Sequence, residues 1–181
     1  MTFDPAVLKD PAALTADWKP LRPGGANFVT HRLVQAGDAR MQMKPTLGLL
    51  LFGGLFFLVG VGISLGGVSQ AEWFMVVFGL PFAAVGAFVL WPKLVVFDRE
   101  GRKFTSKQQE VPFTSIHALQ LLAERVSSSE DPDFWSYELN VVLKSGERIN
   151  VVDHAGLERI RGEARQLGAL IGCPVWDGTQ S

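Results

Sequence analysis

The stretches TLGLLLFGGLFFLVGVGISLGG (residues 46–67) and WFMVVFGLPFAAVGAFVLWP (residues 73–92) decide the fold, because neither holds a charged side chain. The first belongs to a charge-free run from Pro45 to Ala71, and Glu72 divides it from the second. A bilayer core takes about 20 apolar residues of helix, so each stretch predicts a transmembrane helix. At 1.5 Å per residue, Trp73 to Trp91 spans about 27 Å. Both indoles then fall where such rings prefer the headgroup interface. Thirteen Leu, Ile, Phe and Val side chains in the first stretch and ten in the second favour insertion by roughly 6 and roughly 4–5 kcal/mol, before Gly and polar costs. Two core helices of a soluble protein would need amphipathic partners all round, and the remaining chain is too short to supply them.

The link Val68-Ser69-Gln70-Ala71-Glu72 permits only an antiparallel hairpin. Gly53, Gly60 and Gly67 recur at sevens, and Gly62 and Gly66 form a GxxxG. In the second stretch Gly79, Ala83 and Ala87 lie at i, i+4 and i+8. Small residues on one face let helix backbones approach closely in lipid. The two stripes are expected to face each other; the alternative is that one of them meets a second protein. Pro81 removes a helical hydrogen bond and predicts a bend.

Lys and Arg set the orientation. The link has none, whereas Lys9, Lys19, Arg22, Arg32, Arg40 and Lys44 precede the first stretch and Lys93, Arg99, Arg102, Lys103 and Lys107 follow the second. The positive-inside rule then predicts a multi-pass protein of the plasma (bacterial inner) membrane with both termini cytoplasmic. No ionisable residue falls within either stretch, which argues against a stand-alone pump or channel. The first 44 residues contain no apolar run, so no cleavable signal peptide is expected.

Past the membrane the texture becomes short alternating runs with turn signals. Strands are predicted at 94–98, 103–107, 116–126, 134–144 and 148–152, with turns at Asp98–Arg102 and Ser145–Glu147 and a polar loop, SSSEDPD, at 127–133. In the fourth, Trp135, Tyr137, Leu139, Val141 and Leu143 alternate on one face. The period then changes from 2 to 3.6: Leu157, Ile160, Ala164, Leu167 and Ile171 form one stripe of a helix. Asp153 is its expected cap, and Gly172 with Pro174 its end.

The domain reading follows: residues 1–25 an irregular N-terminal arm, 26–44 a β-hairpin about Gly37-Asp38, 45–92 the two-helix hairpin, and 93–181 a cytoplasmic β-rich domain with a C-terminal helix. Whether the 26–44 hairpin joins the later strands in one seven-stranded unit is left open by the sequence.

The chemistry is sparse. Of 181 residues, one is cysteine, Cys173; it has no recognisable His partner and reads as a packed side chain. His31, His117 and His154 lie on separate segments, with no spacing that demands a metal. His117 is expected on the outer face of its strand, and His154 as an exposed imidazole at the helix start. Glu130, Asp131 and Asp133 lack an EF-hand pattern. Phosphate loops, nucleophile elbows and HExxH motifs are absent from the sequence. The net charge of -1 argues against a nucleic-acid partner. Arg99, Arg102, Lys103 and Lys107 are candidate membrane-surface contacts. Arg161 and Arg165, on the wet side of the last helix, are candidate partner-docking residues.

The stretch from Leu94 to Ile171, opening on LVVFDREGRKF and continuing through VPFTSIHALQL, resembles the bacterial PH-like membrane proteins. That resemblance implies a membrane α+β fold: an antiparallel transmembrane helix hairpin followed by a PH-like β-sheet domain closed by one C-terminal helix. A fainter architectural similarity is to the photosystem I assembly factor, which also ends in an "LG.P" type sequence, here Leu170-Ile171-Gly172-Cys173-Pro174. Both resemblances imply an adaptor or assembly role, with no catalytic residue and no cofactor. The expected function is therefore a non-enzymatic integral membrane adaptor, assembly factor or accessory subunit, whose cytoplasmic domain binds a membrane or cytoplasmic protein partner alongside membrane lipid. The alternative is a lipid-surface binding or sensing module.

Overall fold

The computed structural model describes residues 3–91, 95–107, 109–127 and 132–179. Pro92, Lys93 and Leu94, read above as a helix end, a flanking cation and a strand start, lie outside them, as do Glu130 and Asp131 of the acidic loop. The chain forms two compact units. One combines the segment up to Lys44 with the chain beyond residue 94, and the other begins at Pro45.

The second unit is a pair of packed helices, following a short helix α1 (Pro11–Thr15) in the first: α2 (Leu47–Ser69) and α3 (Trp73–Leu90). Thr46 caps α2 by accepting the Leu49 N–H at 3.4 Å. The chain reverses through Ala71, whose φ of 58° is left-handed. Along the seam the backbones nearly touch. A Cβ added to Gly60 would lie 2.7 Å from the Gly79 carbonyl oxygen, and one added to Gly86 would lie 2.7 Å from that of Gly53. Nothing larger than glycine fits such a crossing. The seam thus runs through Gly53, Gly60 and Gly67 on α2 and Gly79, Ala83 and Gly86 on α3. A Cβ at Gly62 or Gly66 would meet nothing, and Ala87 is exposed. The structure places those three off the seam, because Gly86, one residue before Ala87, holds the close approach. Pro81 lies inside α3. One turn away, Ser64 on α2 donates to the Val76 carbonyl at 3.2 Å.

The first unit holds two sheets and one long helix. The strands are β1 (His31–Gln35), β2 (Arg40–Pro45), β3 (Val95–Asp98), β4 (Lys103–Ser106), β5 (Gln109–Pro112), β6 (Ile116–Val126), β7 (Phe134–Leu143), β8 (Arg148–His154) and β9 (Val175–Asp177), with α4 (Leu157–Ile171) before the last. The first five form one sheet in chain order. The hairpin at residues 26–44 does join the later strands: β2 pairs antiparallel with β3, Arg40 opposite Asp98 and Gln42 opposite Val96. The second sheet has the order β8-β7-β6-β9. Among the described residues there are nine strands, two more than the seven read from the sequence. β5 and β9 are too short to show a period, and β9 runs parallel to β6, Leu119 opposite Val175.

One apolar core lies among the two sheets and α4. Phe97 and Phe104 stack at 4.7 Å between ring centroids, and Leu119, Leu121, Leu139, Val141, Ile160, Ala164 and Leu167 close around them. Of the α4 stripe, Ile160, Ala164, Leu167 and Ile171 are buried in this core, while Leu157 is half-buried and outside it. The cap of α4 differs from expectation: Gly156 takes that position without a side-chain bond, while Asp153 lies in β8 and accepts from the Asn150 amide at 2.9 Å. The helix ends at Gly172, whose φ of 82° turns the following Cys173 N–H back to the Gly168 carbonyl at 3.1 Å.

The seam makes a paired test. Gly60→Leu should lower the melting temperature of the purified chain in detergent and reduce its yield, whereas Gly62→Leu should leave both unchanged. Equal effects would mean the helices do not cross at Gly60.

Candidate functional site

The four-stranded sheet is buried on both sides, which alternation in β7 alone does not foretell. Leu139 and Val141 enter the core, with Tyr137 and Leu143 against it. Trp135, predicted on that face, remains 53% exposed at the strand's start. On the opposite face Ser136, Glu138, Asn140 and Val142 are also buried. Their cover is the N-terminal arm, held largely by its own backbone. Glu138 accepts the Leu21 and Arg22 N–H groups, each at 2.9 Å, and Ser136 accepts that of Ala26 at 2.9 Å. Gln120 donates to the Asp17 carbonyl at 3.0 Å. Arg148 donates to the Lys19 carbonyl at 2.9 Å and pairs with the Asp17 carboxylate at 3.1 Å. Such bonds to ionised side chains contribute about twice as much as neutral ones.

An apolar clasp anchors the arm's start. Ala13, Ala118, Val142 and Trp176 form a second cluster, with Leu8, Ala12, Ala16 and Trp18 packed on it. Asp10 accepts from the Trp176 indole at 3.1 Å and meets His117 Nε2 at 2.9 Å. Burial pushes the Asp10 pKa up, but the bonds from His117, the Ala12 N–H and Trp176 outweigh it and hold the group below its ordinary value. His117 does face outward from the core, as expected, and the arm occupies that side.

The other histidines lie apart from it. His154 is fully buried rather than exposed. Its Nδ1 accepts the Gly156 N–H at 3.0 Å, which leaves Nε2 facing Glu163 Oε2 at 3.6 Å. Glu163 spends its other oxygen on the Leu33 N–H at 2.9 Å, tying α4 to strand β1. His31 Nδ1 lies 3.1 Å from the Thr30 hydroxyl. Among the described residues no group of three or more His, Cys, Asp or Glu is placed to hold a metal. Burial pushes the Cys173 thiol up to about 11, against a lowering bond from the Leu119 backbone. It stays a thiol at neutral pH and packs on the core.

Arg161 and Arg165 share one open depression of about 300 Å³ beside α4, together with Glu158, Asp177, Leu121 and Val175. Their states differ. Arg161 donates to Asp177 and Glu158 at 3.0 Å and to the Thr179 hydroxyl at 3.1 Å, fastening the chain's last strand to the helix. Arg165 is exposed, and among the described residues no ion pair holds it.

The four cations predicted at the membrane surface are divided by the strand register. Asp98 pairs with Lys103 and Val95 with Ser106. Arg99, Arg102 and Lys103 therefore crown the β3–β4 turn, while Lys107 stands at the opposite end, where β2 finishes and β3 begins. Lys103 is also engaged, at 2.9 Å from Glu110. At the turn, the Gly101 N–H holds the Asp98 carboxyl below its ordinary value, against burial and with help from Arg40 at 3.0 Å.

Asp98 carries a pH signature. A carboxylate whose folded pKa is depressed contributes stability that is present above its unfolded value of about 4 and is lost as pH falls through the lower folded value. Asp98→Asn should melt below wild type at neutral pH, and the gap should close in acid. A gap independent of pH would rule out the carboxylate as its source. Against known proteins, the chain matches no family model and no curated sequence.

Proposed function

We propose that this chain is an integral membrane adaptor, assembly factor or accessory subunit, non-enzymatic, with a PH-like cytoplasmic domain that binds another protein. The observation that carries the reading is the surface of the helix pair. Only 11% of the most apolar window of each helix is buried, and Leu51, Leu55, Leu58, Phe74, Val77 and Phe88 are among the exposed side chains. Helices of this length that expose large apolar groups in water would aggregate; in lipid the same surface is stabilising. The PH-like part of the reading is supported by two sheets and one C-terminal helix that share an apolar core. The docking part is supported by Arg165, an exposed cation in a depression that Leu121 and Val175 also line. The depression's charges are balanced by Glu158 and Asp177, which argues against a basic headgroup pocket there and against the lipid-sensing alternative at that place.

Topology is checked by labelling. In a Cys173→Ala background, Ser69→Cys should react with an impermeant thiol reagent added outside intact cells. Reaction only after the cytoplasm is opened would reverse the orientation. Docking is checked separately by gentle-detergent purification and mass spectrometry. Arg165→Glu should lose the partner recovered with wild type while melting unchanged; an undiminished partner would clear that surface of the role.

A further inference from the structure

We infer that Arg32, Lys44 and Lys107 form a cationic rim that binds the phosphate-bearing headgroups of anionic lipids. The inference rests on the membrane reading and says which surface of the β-rich unit meets the leaflet. Three observations carry it.

The first is register. β2 ends at Pro45, one residue past Lys44 and one before Thr46, the cap of α2. Val95, the first residue of β3, lies opposite Ser106, and Lys107 follows directly. The Ala36 N–H donates to the Arg40 carbonyl, so β1 and β2 meet at their turn and the start of β1, with Arg32, lies beside the end of β2. All three cations therefore occupy one end of the five-stranded sheet, the end from which the chain leaves for the apolar helices and to which it returns.

The second is availability. Arg32, Lys44 and Lys107 are each exposed, and none takes part in an ion pair among the described residues. The other sheet cations differ: Arg40 is given to Asp98 and Lys103 to Glu110.

The third is segregation of charge. The residues registered beside Lys107 are neutral, with Ser106 opposite both Val95 and Gln109. Asp38, Asp98 and Glu100 belong to the turns at the opposite end, about 10 Å away along the strands, and Glu110, the nearer carboxylate opposite Thr105, is taken up by Lys103. A rim whose cations are unpaired among the described residues, and whose neighbouring carboxylates are distant or already paired, suits a negatively charged leaflet, where each Lys or Arg gains about fivefold in association.

The test uses the full-length chain reconstituted in phosphatidylcholine bilayers with spin-labelled phosphatidylglycerol, and reads the preference for the anionic lipid. The triple variant Arg32→Gln, Lys44→Gln, Lys107→Gln should lose at least about fivefold of that preference. Raising the salt should produce the same loss in wild type. The double variant Arg99→Gln, Arg102→Gln, at the far turn, should keep it, and Lys107→Gln alone should show a smaller loss. An unchanged preference in the triple variant, or a loss in the double variant instead, overturns the rim. Alkaline carbonate washing of the same samples separates the two readings. A wild-type chain stripped from the bilayer overturns the membrane reading itself, and one that stays bound with no lipid preference overturns the rim alone.

Discussion

The short antiparallel pairing of β2 with β3 is the interaction on which the β-rich unit depends. The two strands are neighbours in the sheet but are separated in sequence by the whole helix pair. Their backbone bonds join two distant pieces of chain into one sheet, and the side chains in register do the rest. Met43 and Val95 enter the same core as Phe97 and Phe104. Arg40 crosses the pair to reach Asp98. If this pairing is lost, β1 and β2 have no sheet to belong to, and Leu33 on β1 no longer offers its amide to Glu163 on α4.

Polar groups do a comparable task on the second sheet. A sheet face carrying Gln120, Ser136, Glu138 and Asn140 would ordinarily be left in water. Here it is closed by a segment with almost no regular structure. A coil buried against a sheet brings unsatisfied amides and carbonyls with it, and the side chains of the sheet are matched to those groups: carboxylate to N–H at Leu21 and Arg22, amide and guanidinium to C=O at Asp17 and Lys19. The arm thus adds burial without adding a strand. The apolar clasp around Trp176 fixes its beginning.

How much of this was legible depended on the range of the determining interactions. The helices at Leu47–Ser69, Trp73–Leu90 and Leu157–Ile171 and the strand at Ile116–Val126 are written in local periodicity and composition. β5 and β9 are three or four residues long and are strands only because β4 and β6 offer edges. His154 reads as exposed beside a helix start, yet strand β8 extends to it and turns it inward. The seam was legible on α2, where glycine recurs at sevens, but on α3 Gly79-Ala83-Ala87 and Gly79-Ala83-Gly86 are equally regular, and only the partner backbone selects the second. The burial of Glu138 is invisible locally, because its partners lie more than a hundred residues away in the arm.

Insertion of the helix pair between neighbouring strands also fixes an order of assembly. During synthesis β1 and β2 are made before either apolar helix and must wait, unpaired on one edge, until β3 follows. Long separations between partners slow closure of such a sheet. The helices are therefore complete before the domain can fold, and a chain stalled between them carries an open strand edge that no part of itself can yet cover. For this protein, synthesis of the whole apolar segment is a precondition for completing the β-rich unit.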